Sequence, residues 1–240
     1  MSNPLLHTHA LPPFSDISAE HVLPAVEEHL NTNRTRISEL LGKFANGEAT
    51  PTWESLIEPM DEWHDELSKA WSPVGHLNGV LNSDELREAY NACLPLLSQY
   101  WTEFGQNEDL FKAYDALKNS PEFDNLSVPQ KTAINNALRD FRLSGIDLPA
   151  DKKARYAEIQ QQLSALTSKF SENVLDATAA WTKHITDASE LDGVPESGLG
   201  LLAQQAKQRE LEGYVITLDF PSYMPIMSYC TNRELREELY

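Results

Sequence analysis

Apolar side chains recur three and four positions apart through most of the chain, a spacing that lines them along one face of successive helices. Ser18 reads as the cap of a helix that holds Pro24 in its first turn, where a missing N–H costs nothing. Val26, Leu30, Ile37, Leu40, Leu41 and Phe44 continue the stripe until Asn46-Gly47 ends it. Thr50-Pro51-Thr52 opens a second helix to about Trp71, striped by Trp53, Leu56, Ile57, Met60, Trp63 and Leu67 and kinked at Pro59. Ser72-Pro73-Val74-Gly75 reads as a turn. Ser83 caps a third helix whose first turn carries Asp84 and Glu85, and whose face runs from Leu86 to Phe104 across Pro95. Asn107 to Leu117 predicts a fourth. Ser127-Val-Pro-Gln130 is a capping box that leads into Ile134, Leu138 and Phe141, with Gly145 as the stop.

Pro149 starts the longest predicted helix, to roughly Asp176. Tyr156, Ile159, Leu163, Leu166, Phe170 and Val174 form a seam along it that is expected to pack in a bundle core. Beyond Asp176 the pattern changes. Trp181 to Thr186 and Tyr214 to Leu218 are short, β-branched and aromatic, and predict two strands. A helix of about Pro195 to Glu210 separates them. A short helix from Pro221 to about Tyr229 comes next, and Thr231-Asn-Arg-Glu234 is a second capping box opening a last one. The expected fold class is mainly α: an array of long antiparallel helices with a small two-stranded β element near the C-terminal end. Three regions are expected: an extended arm at 1–17, a helical domain at 18–176 and the start of a mixed α/β region at 177–240. The last helix carries no stop signal before Tyr240, so the sequence is expected to be part of a longer chain.

Charge narrows the choice of partner. Nineteen Lys and Arg stand against 37 Asp and Glu, a net −18. Such a surface repels nucleic-acid phosphates and anionic lipid, and no basic run offers a local exception. Cys93 and Cys230 lack metal-site or disulfide spacing, the N-terminus lacks a secretory signal, and no apolar run is long enough to span a bilayer. The expected location is the cytoplasm.

Candidate chemistry is sparse. No His begins the H-E-x-x-H pattern of zinc peptidase helices. Asp61, His64 and Asp65 share a helical face and form the nearest approach to a metal site, although a solvated acidic face is the preferred reading. His7-Thr8-His9 offers adventitious metal binding at most, and His21 and His29 lie too far apart along a helix to chelate one ion. Cys93 falls on an apolar face and reads as core. Cys230 has no base partner in sequence. Nucleophile elbows and phosphate-binding glycine loops are absent. No catalytic, cofactor-binding or metal-ligating residue is therefore assigned.

Several long runs carry a family resemblance. They are Asn3-Pro-Leu-Leu6 with Leu11-Pro-Pro-Phe14 and Glu20-His-Val-Leu-Pro-Ala-Val26; Ser72-Pro-Val-Gly-His-Leu-Asn78 with Glu85-Leu-Arg-Glu-Ala-Tyr90 and Leu94-Pro-Leu-Leu-Ser98; Asn136-Ala-Leu-Arg-Asp-Phe141 with Leu143-Ser-Gly-Ile146; and Phe170-Ser-Glu-Asn-Val-Leu-Asp-Ala-Thr178 with Leu218-Asp-Phe-Pro-Ser-Tyr223. Together they resemble the front part of the thimet-type zinc oligopeptidases. The resemblance implies a longer, mostly helical, two-lobed parent enzyme that hydrolyses short unfolded peptides, signal-peptide remnants among them, in a deep channel. It implies zinc in the parent, with its ligands beyond residue 240 and none in this part. Residues 18–176 would then be channel wall, excluding folded proteins by size. Apolar surface left without the second lobe is expected to cause non-native self-association. The alternative is a stand-alone, non-catalytic helical binding or scaffold module.

Overall fold

The computed structural model describes residues 3–7 and 9–240. The chain forms two compact units, residues 1–168 and 169–240. As the apolar spacing predicts, it is mainly helical, with one antiparallel pair of strands near its C-terminal end.

In the first unit, α1 (Ala19–Ala45) starts at a capping box in which the His21 ring takes the role usually filled by Glu or Gln: Ser18 N–H donates to His21 Nδ1 at 3.1 Å. Pro24 lies inside α1 rather than in its first turn, because Val22, Ala25 and Val26 around it are sealed into the core. Their burial, about 1.5–3 kcal/mol for each larger side chain, outweighs one lost backbone bond. The N-terminal arm is not simply extended. Pro4–Leu6 and Phe14–Asp16 each form a tight 3₁₀ turn, and Leu5 is buried. Asn3 Nδ2 donates to the His21 carbonyl at 2.8 Å, and His29 Nε2 meets the Leu5 carbonyl at 3.0 Å.

A π-helical turn at Trp53–Ile57 leads into α2 (Glu58–Val80), with Pro59 in its opening turn. The turn predicted at Ser72–Gly75 is absent, and α2 runs on through Pro73. Pro73, Val74 and Leu77 are buried, whereas Lys69, whose carbonyl loses its partner, is exposed. Tertiary burial overrides the local break. Then come α3 (Asp84–Gly105), α4 (Glu108–Lys118), a single-turn α5 (Pro121–Asn125) and α6 (Val128–Leu143). Ser83 and Asn107 cap α3 and α4, and the Ser127–Gln130 box opens α6 as read from sequence. Gly145 closes that segment with φ +85°, a conformation costly for any residue with a Cβ. Two apolar clusters fill the unit. One joins the first half of α1 to α2 and α3. The other joins the end of α1 and the π turn to α4 and α6.

α7 (Ala150–Ala180) begins in the first unit and ends in the second. No residue of it is buried. The seam expected to be core is open to solvent: Leu163 is 51% exposed, Leu166 66% and Phe170 71%.

In the second unit β1 (Thr182–Ile185) pairs antiparallel with β2 (Tyr214–Thr217), Thr182 opposite Thr217 and Ile185 opposite Tyr214. Between them lies α8 (Glu196–Gln208), and after them α9 (Phe220–Tyr229) and α10 (Arg233–Leu239). Ile185, Leu202, Ile216, Ile226 and Leu235 gather into one core. Asn232, not Thr231, caps α10, its Oδ1 accepting from Leu235 N–H at 3.2 Å. The Thr231 hydroxyl is engaged with Asp192 instead.

Candidate functional site

The three residues read as a possible metal group part company in space. α2 carries His64 against α3, where Trp101 and Phe104 pack on its ring at centroid distances of 4.8 and 4.9 Å. Its Nε2 lies 3.0 Å from the Tyr100 hydroxyl. Burial pulls the imidazole down to about 4, so it is neutral at pH 7. Asp65 faces the other way and pairs with Lys69 at 2.5 Å. Burial raises the Asp61 carboxyl, whose charge in turn adds to the burial that raises the Tyr114 phenol. These residues do not suit a zinc ion, and among the described residues no group of three His, Cys, Asp or Glu is arranged to hold a metal.

Five of the other six histidines have structural partners. His21 caps α1 and His29 holds Leu5. His76 packs on Phe14 at 5.5 Å, and His184 meets the Glu212 carbonyl at 2.6 Å. Of the His7-Thr8-His9 pair, His9 Nε2 meets the Pro4 carbonyl at 3.0 Å, while Thr8 lies outside the described residues. Neither thiol is available as a nucleophile. Cys93 is fully buried, and burial, with the Glu27 charge adding to it, pushes its thiol up to about 12. Cys230 is also buried, its Sγ donating to the Glu190 carbonyl at 3.4 Å.

A groove of about 730 Å³ lies between α1, α3 and α4 in the first unit. Ile37, Leu41, Phe44 and Phe104 supply its apolar lining. Its charged rim is internally neutralised: Arg34 Nε donates to Glu103 at 2.8 Å, and Lys112 pairs with Asp109 at 2.9 Å. Arg34 also lies 5.6 Å over the Tyr100 ring, whose phenol burial pushes up to about 12. Behind it Asn33 is fully buried, donating to the Trp63 carbonyl at 3.2 Å, and its Oδ1 has no hydrogen-bond partner among the described residues. The arrangement is a shaped apolar surface with paired charges, and it lacks the nucleophile–base contact that bond-breaking requires. Sequence reasoning had no access to it. Arg34 and Glu103 are 69 positions apart, and nothing local marks either as the other's partner.

The described residues thus form a mainly helical fold with a shaped apolar groove. Comparison with known proteins identifies it. Residues 26–153, more than half of the chain, match the model of the neurolysin/thimet oligopeptidase N-terminal domain, and the chain belongs to that family. Oligopeptidase A of Haemophilus influenzae is 54% identical over 240 residues, which is all of this chain and 34% of that protein. Oligopeptidase A of Escherichia coli is 53% identical over the same span, 35% of its length. A protein of Arabidopsis thaliana described as a probable cytosolic oligopeptidase A is 37% identical over 246 residues, 34% of its length. The chain thus spans about a third of the relatives it matches.

Proposed function

We propose that this chain is the non-catalytic, N-terminal helical part of a zinc-dependent oligopeptidase that cuts short, unfolded peptides, including signal-peptide remnants, in the cytoplasm. The observation that carries the reading is the end-to-end match, at 54% identity, to a third of an oligopeptidase A. Residues 18–176 serve as channel wall and admit substrate by size, and 177–240 begin a mixed region shared with the remainder of the enzyme. Zinc and its ligands belong to the part of the enzyme that this sequence does not include. The metal supplies an activated water there; the residues present here bind and exclude. The cytoplasmic assignment draws on the Arabidopsis relative and on the fact that no described helix is long and apolar enough to cross a membrane.

The size filter is tested with the product of the uninterrupted gene and substrates of graded length carrying one cleavable sequence. Rates that fall steeply once peptides grow long, and vanish when the sequence sits in a folded protein, fit a walled channel. Equal cleavage of folded and unfolded substrates would refute it.

A further inference from the structure

The chain holds two Asn-Gly pairs, Asn46-Gly47 and Asn78-Gly79, and one Asp-Gly pair, Asp192-Gly193. At such pairs a polypeptide can modify itself. The glycine nitrogen has no side chain beside it and can reach the carbonyl carbon of the preceding side chain, closing a five-membered imide. Closure needs rotation about the Cα–C bond of the first residue, so backbone held in regular structure resists it.

The three pairs differ in that respect. Asn78-Gly79 lies inside α2. Asn82 Nδ2 donates to the Asn78 carbonyl at 2.7 Å and to its Oδ1 at 3.0 Å, which clamps backbone and side-chain amide together. Asp192 is also held: Thr231 N–H donates to its carbonyl at 2.8 Å, and the Thr231 hydroxyl reaches its Oδ2 at 3.2 Å. Asn46-Gly47 stands just past the end of α1, and both residues are exposed. No hydrogen bond holds the Asn46 side chain among the described residues, and open space surrounds the position a Cβ on Gly47 would take. Only turn bonds hold the backbone there, Gly47 N–H to the Phe44 carbonyl at 3.2 Å and Glu48 N–H to the Lys43 carbonyl at 2.9 Å. Such bonds at a helix end open at the least cost.

We propose that Asn46-Gly47 is a self-modification site, which deamidates to aspartate and isoaspartate, and that the isoaspartate form is a substrate for a protein isoaspartate methyltransferase. The Gly47 nitrogen gives its proton to water and bonds to Asn46 Cγ. The Cγ–Nδ2 bond breaks, and the nitrogen takes up a proton and leaves as ammonia. Water then opens the imide. Attack at the side-chain carbonyl leaves ordinary aspartate; attack at the main-chain carbonyl leaves isoaspartate, with the chain running on through Cγ. Nothing is oxidised or reduced. Either product sets a carboxylate at the C-terminal, negative end of α1, where a neutral amide stood. Isoaspartate also lengthens the backbone inside the turn, which disturbs the bonds from Gly47 and Glu48 back to the helix. Phe44 and Ala45 line the groove beside Arg34, so the modification loosens the groove wall.

Ageing the 240-residue chain at mildly alkaline pH tests it. Digestion and mass spectrometry follow the amide-to-acid conversion at each pair, and methyl transfer from S-adenosylmethionine by a protein isoaspartate methyltransferase counts isoaspartate. In the folded chain Asn46 is expected to convert at least about tenfold faster than Asn78, whose helical backbone must first open. In urea the two rates should converge. Asn46→Gln, whose longer side chain cannot close the five-membered ring, should lose most of the methyl acceptance, with circular dichroism checking that it is folded. Equal rates at the two pairs in the folded chain, or faster conversion of Asn78, overturns the proposal. So does an Asn46 that stays intact while the urea-unfolded chain converts, conversion of Asn46 without methyl acceptance, or full methyl acceptance by Asn46→Gln.

Discussion

His64 makes the folded state of the first unit sensitive to acid in a way that can be worked out from its surroundings. Unfolded, the imidazole titrates near its ordinary 6.5, whereas the folded ring, buried against Trp101 and Phe104, accepts a proton only near 4. Between these values the unfolded state binds more protons. The stability His64 supports is therefore complete above pH 6.5, falls as the pH drops, and is gone below about 4. At about 1.4 kcal/mol per pKa unit the whole displacement is worth about 3 kcal/mol, of which about 2 kcal/mol is lost between pH 7.5 and pH 5.0. The assay is urea unfolding at those two pH values for the native sequence and for His64→Phe, which keeps a ring in the aromatic site but cannot titrate. Four of the five tryptophans lie in the first unit, so fluorescence reports mainly on it. Carboxylates titrate in both proteins and cancel in the comparison. The native chain should lose about 2 kcal/mol more than His64→Phe. Equal losses would refute the claim that a buried, neutral imidazole controls the difference.

Two further predictions concern buried groups and backbone. Cys93 and Cys230 should stay unreactive toward an aromatic disulfide reagent at pH 8 and both titrate on unfolding in urea; rapid reaction of either in the folded chain would contradict its burial. Gly213, at φ +88°, has its missing Cβ position 2.4 Å from the Ile185 carbonyl across the strand pair. Gly213→Ala should cost the second unit about 2 kcal/mol or more, read from labelling of the buried Cys230 during urea unfolding in a Cys93→Ala background, and an unchanged midpoint would show that the turn relaxes freely.

Most elements were legible because their signals are local. The capping residues Ser83 and Asn107, the Ser127–Gln130 box and the stop at Gly145 all act within one turn of chain, and the structure uses each of them. The two strands were read for the same reason, from short β-branched runs. The misreadings share one cause. Pro24 and Pro73 look like boundaries in sequence, yet both lie inside helices because buried neighbours hold the backbone against the local preference. At α10, Asn232 took the cap because Thr231 was already bonded to Asp192, a partner 39 residues away. Along α7 the spacing of the seam was visible, but whether anything covers it depends on residues outside the pattern. The groove behind Arg34 and the ring cage around His64 were illegible for the same reason, since Arg34–Glu103 and His64–Tyr100 are long-range pairs.

The central claim is that this chain shapes a peptidase whose chemistry lies elsewhere in the same polypeptide. Hydrolysis of a quenched fluorescent peptide tests it most directly, using the 1–240 chain and the uninterrupted gene product side by side, each with and without a zinc chelator. Cleavage by the long protein alone, abolished by chelator and restored by zinc, is the predicted result. Chelator-sensitive cleavage by residues 1–240, or no cleavage by either protein, would contradict it.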